Sequence, residues 1–99
     1  MIKHIVAWDY QAGLSDAEKL QRGEHAKEAL EALPDVVPGL LSLKVSLAPL
    51  GSSDRPIVLE AEFDSPEDLD VYAVPPAHVA AADIITAFTT SRVVLDYEV

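Results

Sequence analysis

Tyr72 and His78 flank the Pro75-Pro76 pair, and His4 is the single polar side chain in the series Ile2, His4, Val6, Trp8. A histidine partly withdrawn from water and held beside a phenol can take up or release a proton near neutral pH. Proline interrupts a helix by removing a hydrogen-bond donor and crowding the preceding turn. A break between Tyr72 and His78 therefore lets both side chains enter one space between helices and sheet. The chemistry that fits is proton transfer on a small, largely apolar ligand, with a histidine as acid or base. The structural alternative is a core histidine satisfied by a carbonyl and a core aromatic tied to a neighbour.

Other chemistry finds no residues to perform it. The chain has no cysteine, which removes disulfides, thiolate metal ligands and a cysteine nucleophile. It has no glycine-rich phosphate loop, no His-x3-His pair and no Gly-x-Ser-x-Gly elbow. No metal and no cofactor are expected. His25, among Glu24, Lys27 and Glu28, reads as part of a solvated helix face.

Seven Lys and Arg against seventeen Asp and Glu give 7 − 17 = −10. Such a surface repels phosphate backbones and anionic headgroups, so neither nucleic acid nor membrane is expected as a partner. No apolar run approaches the roughly 20 residues of a membrane span, and the opening Ile2-Lys3-His4-Ile5 is interrupted too soon for a signal peptide. A cytoplasmic address is expected.

The elements that must position these residues can be read from periodicity. Ile2 to Trp8 is a short strand. Ser15 with Glu18 forms a capping box, and a helix is expected over residues 15–33, with Leu20, Ala26, Ala29, Leu30 and Leu33 on its apolar side. Leu41, Leu43, Val45 and Leu47 alternate with Ser42, Lys44 and Ser46 at the strand period, and Ile57, Leu59, Ala61 and Phe63 with Val58, Glu60 and Glu62. Ser65-Pro66-Glu67-Asp68 is a helix start. A second helical stretch, about residues 77–89, places His78, Ala81, Ala82, Ile85 and Phe88 on one face. Val93, Leu95, Tyr97 and Val99 close the chain as a strand.

The order β-α-β-β-α-β in one domain, residues 1–99, predicts an α+β fold: a ferredoxin-like protomer with a four-stranded antiparallel sheet and both helices on one face. The other face is expected to carry Ser42, Lys44, Ser46, Glu60, Glu62 and Asp96 together with Leu40, Val58 and Val94. That mixture suits a solvated sheet, and it equally suits two sheets packed face to face in a homodimer. On the helix side His4, Val6, Trp8, Ile57, Leu59, Ala82 and Ile85 are expected to line a small, mostly apolar pocket beside Tyr72 and His78.

The segments Met1-Ile2-Lys3-His4-Ile5-Val6, Val37-Pro38-Gly39-Leu40, Glu62 to Leu69, Tyr72 to His78 and Val93 to Glu98 together resemble the stress-responsive A/B barrel (Dabb) family over nearly the whole chain. The resemblance implies a dimeric α+β barrel with a pocket in each protomer. The family includes a plant polyketide cyclase of the olivetolic acid type, a metal-free aldol cyclase. Tyr72 and His78 fall on its catalytic tyrosine and histidine, and His4 on a pocket histidine. Ile57 replaces a second pocket histidine, and Pro75 stands where many relatives carry histidine, which implies a drier pocket. The resemblance leaves two functions open: a cofactor-independent cyclase, isomerase or lyase, and a non-catalytic stress-response or ligand-binding protein.

Overall fold

Alternating apolar residues supply one buried face to each of four strands in the computed structural model, which describes all 99 residues. The elements are β1 (Ile2–Tyr10), α1 (Asp16–Glu31), a 3-10 turn (Leu33–Asp35), β2 (Leu40–Ser46), β3 (Ile57–Phe63), α2 (Pro66–Val71), α3 (Pro76–Thr86) and β4 (Thr89–Glu98). All neighbouring strands are antiparallel, in the order β2-β3-β1-β4. This is the expected ferredoxin-like arrangement. Ile2, Val6, Trp8, Ile57, Leu59, Ala61 and Phe63 are buried beneath the helices with Ala26, Leu30, Ala81 and Ile85.

Local chemistry sets the helix boundaries. Ser15 Oγ accepts from the Glu18 amide at 3.1 Å, and Glu18 Oε1 accepts from the Ser15 amide at 3.3 Å, closing the capping box. Pro34 lies in the 3-10 turn beyond α1, so the helix ends two residues short of the expected boundary. Ser65 caps α2 through the Asp68 amide, and Pro76 opens α3, where its missing N–H costs nothing. Gly39 has φ +84° and its missing Cβ would lie 2.3 Å from Asp68 Cγ. The turn before β2 thus seats against α2 only because residue 39 has no side chain.

Two bulges reverse facing assignments made from simple alternation. In β2 the register passes from Leu40↔Phe63 to Ser42↔Glu62, so Leu40 is buried and Leu41 is exposed. In β4 it passes from Asp9↔Thr90 to Ala7↔Val93, leaving Ser91 and Arg92 together opposite Trp8. Ser91 takes the left-handed φ of 57° there. The extra residue resets the alternation. Val94 and Asp96 therefore face the helices, paired with Val6 and His4, while Val93, Leu95 and Tyr97 occupy the open face expected to hold Val94 and Asp96. Leu20, expected in the core, is 60% exposed above a groove between α1 and β2.

β2 is an edge strand, and α1 covers part of its edge. Lys27 Nζ donates to the Val45 carbonyl at 2.7 Å and to Glu31 at 2.8 Å, while Glu31 accepts from the Val45 amide at 2.9 Å. An i,i+4 ion pair thus stands in for a missing strand and leaves less backbone for another chain to pair with. Burial would raise the Glu31 pKa, but the Lys27 and Val45 hydrogen bonds, with the charges of Lys27 and Lys44, outweigh it and hold the carboxyl below 4.5. Glu31→Ala is expected to speed hydrogen exchange at the Val45 amide and to cost about 1 kcal/mol of stability. Unchanged Val45 protection would refute this role.

Candidate functional site

β1 sets His4 on the helix-facing side, between Ala61 of β3 and Asp96 of β4 in the register. The small Ala61 leaves room for the imidazole. His4 Nδ1 hydrogen-bonds to Asp96 Oδ1, and since a carboxylate only accepts, Nδ1 carries the proton. Nε2 of neutral His4 keeps its lone pair. Nothing in the alternation of β4 revealed Asp96, because the bulge lies between it and the preceding helix. The usable signal was His4 itself, since an inward imidazole needs an acceptor on an adjacent strand.

Tyr72 caps the C-terminus of α2, and His78 lies in the first turn of α3 beyond the proline pair. The turn between them brings the rings to 4.1 Å between centroids, tilted by 59°. Tyr72 also meets Phe63 at 5.0 Å and His4 at 5.9 Å, both edge to face. One phenol ring therefore contacts both imidazoles. The structure brings Tyr72, His78 and His4 together.

Electrostatics separates their roles. Burial pushes the Tyr72 hydroxyl up to about 12, so it is a neutral donor at physiological pH. Burial lowers the His78 pKa below 6.5; the Ala73 carbonyl opposes this, while the charges of His4 and Arg92 reinforce it. His78 Nδ1 is buried with no partner in hydrogen-bonding geometry. Burial thus favours the uncharged imidazole of His78 and leaves Nδ1 without a partner in hydrogen-bonding geometry.

The other expected pocket residues lie beneath α3. Val6, Trp8, Ile57, Leu59 and Ile85 are buried as packed core, and Ala82 is half-buried. Trp8 Nε1 is a second buried atom without a partner. Two surface concavities lie elsewhere, between α1 and β2 and beside Arg22, His25 and Phe88. No group of three or more His, Asp or Glu side chains is arranged to hold a metal. No helix is long and apolar enough to cross a membrane.

The model of the stress-responsive A/B barrel domain matches residues 2–99. The chain belongs to the stress-responsive A/B barrel family. A dimeric ferredoxin-like protein of unknown function from Bacteroides fragilis is 36% identical over 99% of this chain and 95% of its own, with a TM-score of 0.90. A dimeric ferredoxin-like protein from Thermobifida fusca is 22% identical over 99% and 90%, with a TM-score of 0.81. The hydroxynitrile lyase of Passiflora edulis is 19% identical over 97% and 90%, with a TM-score of 0.77; at that identity it shares the fold with this A/B barrel protein. No curated protein sequence matches the chain.

The Tyr72 shift has a stability consequence. Its pKa rises on folding, so the stabilisation is fully present below pH 10 and is lost as pH rises toward 12. A shift of this size corresponds to about 2–3 kcal/mol. Chemical denaturation of wild type and Tyr72→Phe is expected to show a gap between them that changes by about that amount from pH 9 to pH 12. A constant gap would contradict the burial of the hydroxyl.

Proposed function

We propose that this A/B barrel protein is a homodimer that carries out cofactor-independent acid–base chemistry on a small carbonyl compound, as a cyclase, isomerase or lyase. The observation that carries the proposal is the unpartnered, buried Nδ1 of His78 beside a neutral tyrosine and an imidazole held by Asp96. Neutral His78 takes the proton next to the substrate carbonyl. Electron density moves to the carbonyl oxygen, where the Tyr72 hydroxyl donates a hydrogen bond. When protonated, His4 donates from Nδ1 to Asp96 and from Nε2 to the same oxygen. The His78 proton then returns to carbon in an isomerisation, to a leaving group in a lyase, or to an aldol oxygen in a cyclisation.

A second, non-catalytic reading is favoured by one observation. Val6, Trp8, Ile57, Leu59 and Ile85 fill the space beneath α3 as core, as a non-catalytic stress protein in which these residues only complete the core would require. Turnover separates the two readings. In a screen of β-diketones and hydroxyketones, His78→Ala is expected to lower kcat/KM at least about a hundredfold while leaving thermal stability near wild type. Equal turnover by wild type and His78→Ala would rule out the catalytic reading.

The dimer rests on the open face of the sheet. Leu95 is 58% exposed, Tyr97 50% and Val93 39%, beside half-buried Ile5, Ala7 and Val58. A contiguous apolar patch of this kind marks an interaction surface, and the relatives named above as dimeric supply the precedent for a second copy. Leu95→Asp is expected to convert a dimer to a monomer in light scattering at micromolar concentration. A wild-type monomer there would overturn the dimer.

A further inference from the structure

The helix layer does not close over β4. Inward side chains of β1 and β3 are buried, whereas on the edge strand β4 Val94 is half-buried and Asp96 and Arg92 are exposed. The inward side of β4 is therefore open to solvent, and His78 on α3 is itself half-buried. Along that side of β4 lie Asp96, bonded to His4, then half-buried Val94 and exposed Arg92.

Arg92 owes its place to the bulge. Ser91 and Arg92 share the position opposite the inward-facing Trp8, and Arg55 Nε fixes the bulge by donating to the Ser91 carbonyl at 3.1 Å. The ion pairs of the molecule join Lys3 to Glu60 and Glu62, Lys27 to Glu31, Arg55 to Asp9 and His4 to Asp96; none engages Arg92. In a chain of net charge −10, a guanidinium left unpaired beside a candidate acid–base site is a local exception to a field that otherwise turns anions away. Asp96, the carboxylate on the same side, is occupied by His4.

Resting on the acid–base reading of the histidine site, we propose that Arg92 anchors a carboxylate of the substrate, so that the site takes short carbonyl compounds that carry a carboxylate. Guanidinium binds carboxylate through two parallel charge-assisted hydrogen bonds. Val94 then meets the apolar link, and the carbonyl reaches Tyr72 and His78. The charge of Arg92 already acts on His78, disfavouring its imidazolium form; a bound carboxylate neutralises that charge and makes His78 a stronger base when substrate is present.

The test uses 4-oxopentanoate and its neutral methyl ester, with binding read from the ring 15N shifts of His78 at pH 7. The keto acid is expected to perturb His78 and to bind about tenfold more tightly than the ester. Arg92→Ala is expected to remove that advantage, Arg92→Lys to retain part of it, and Arg22→Ala, on α1, to leave it intact. If acid and ester perturb His78 equally, or if Arg22→Ala costs as much as Arg92→Ala, the anchor is overturned while the histidine site stands. If neither compound perturbs His78, the anchor and the carbonyl site both fall.

Discussion

The pairing of His4 with Asp96 across β1 and β4 fixes most of what is distinctive in this protein. Side chains alternate along a strand, so a shift of one residue would exchange the two faces of β4. In the observed register Asp96 reaches His4, Val94 packs against the core, and Arg92 enters the helix side. The same register sends Val93, Leu95 and Tyr97 to the open face. One bulge thus supports both a polar site under the helices and an apolar surface for a second copy.

The helix layer contributes the other half of the site. Two prolines separate α2 from α3 so that Tyr72 ends one helix and His78 begins the next, with their rings in contact. Burial acts in opposite senses on the two groups. It keeps the phenol protonated and the imidazole neutral, because low polarity disfavours whichever form is charged. Donor and acceptor thus stand side by side without an ion between them.

Much of this was legible in the sequence. Ser15 with Glu18 and Ser65 with Pro66 announced the helix starts, and the Tyr72-to-His78 spacing around two prolines announced the meeting of their side chains. Asp96 escapes the periodicity because the alternation of Val93, Leu95, Tyr97 and Val99 alone points those residues inward, and a bulge leaves no mark in a count of apolar periods. Leu40 was misplaced for the same reason. Leu20 matched the stripe of α1 but lies beyond the sheet it was expected to cover. Packing escaped the reading as well: Val6, Ile57 and Leu59 have the chemistry of pocket walls, and only three-dimensional contact distinguishes a wall from a filled core.

The central claim is that a neutral, unpartnered His78 stands ready beside a protonated Tyr72. Its most direct test is a pH titration of the His78 ring followed by 15N NMR in the unliganded protein. The account predicts a midpoint below 6.5, with ring shifts of an imidazole at pH 7 and the Nδ1 proton of His4 in a hydrogen bond to Asp96. A His78 that remains protonated at pH 7 would contradict it.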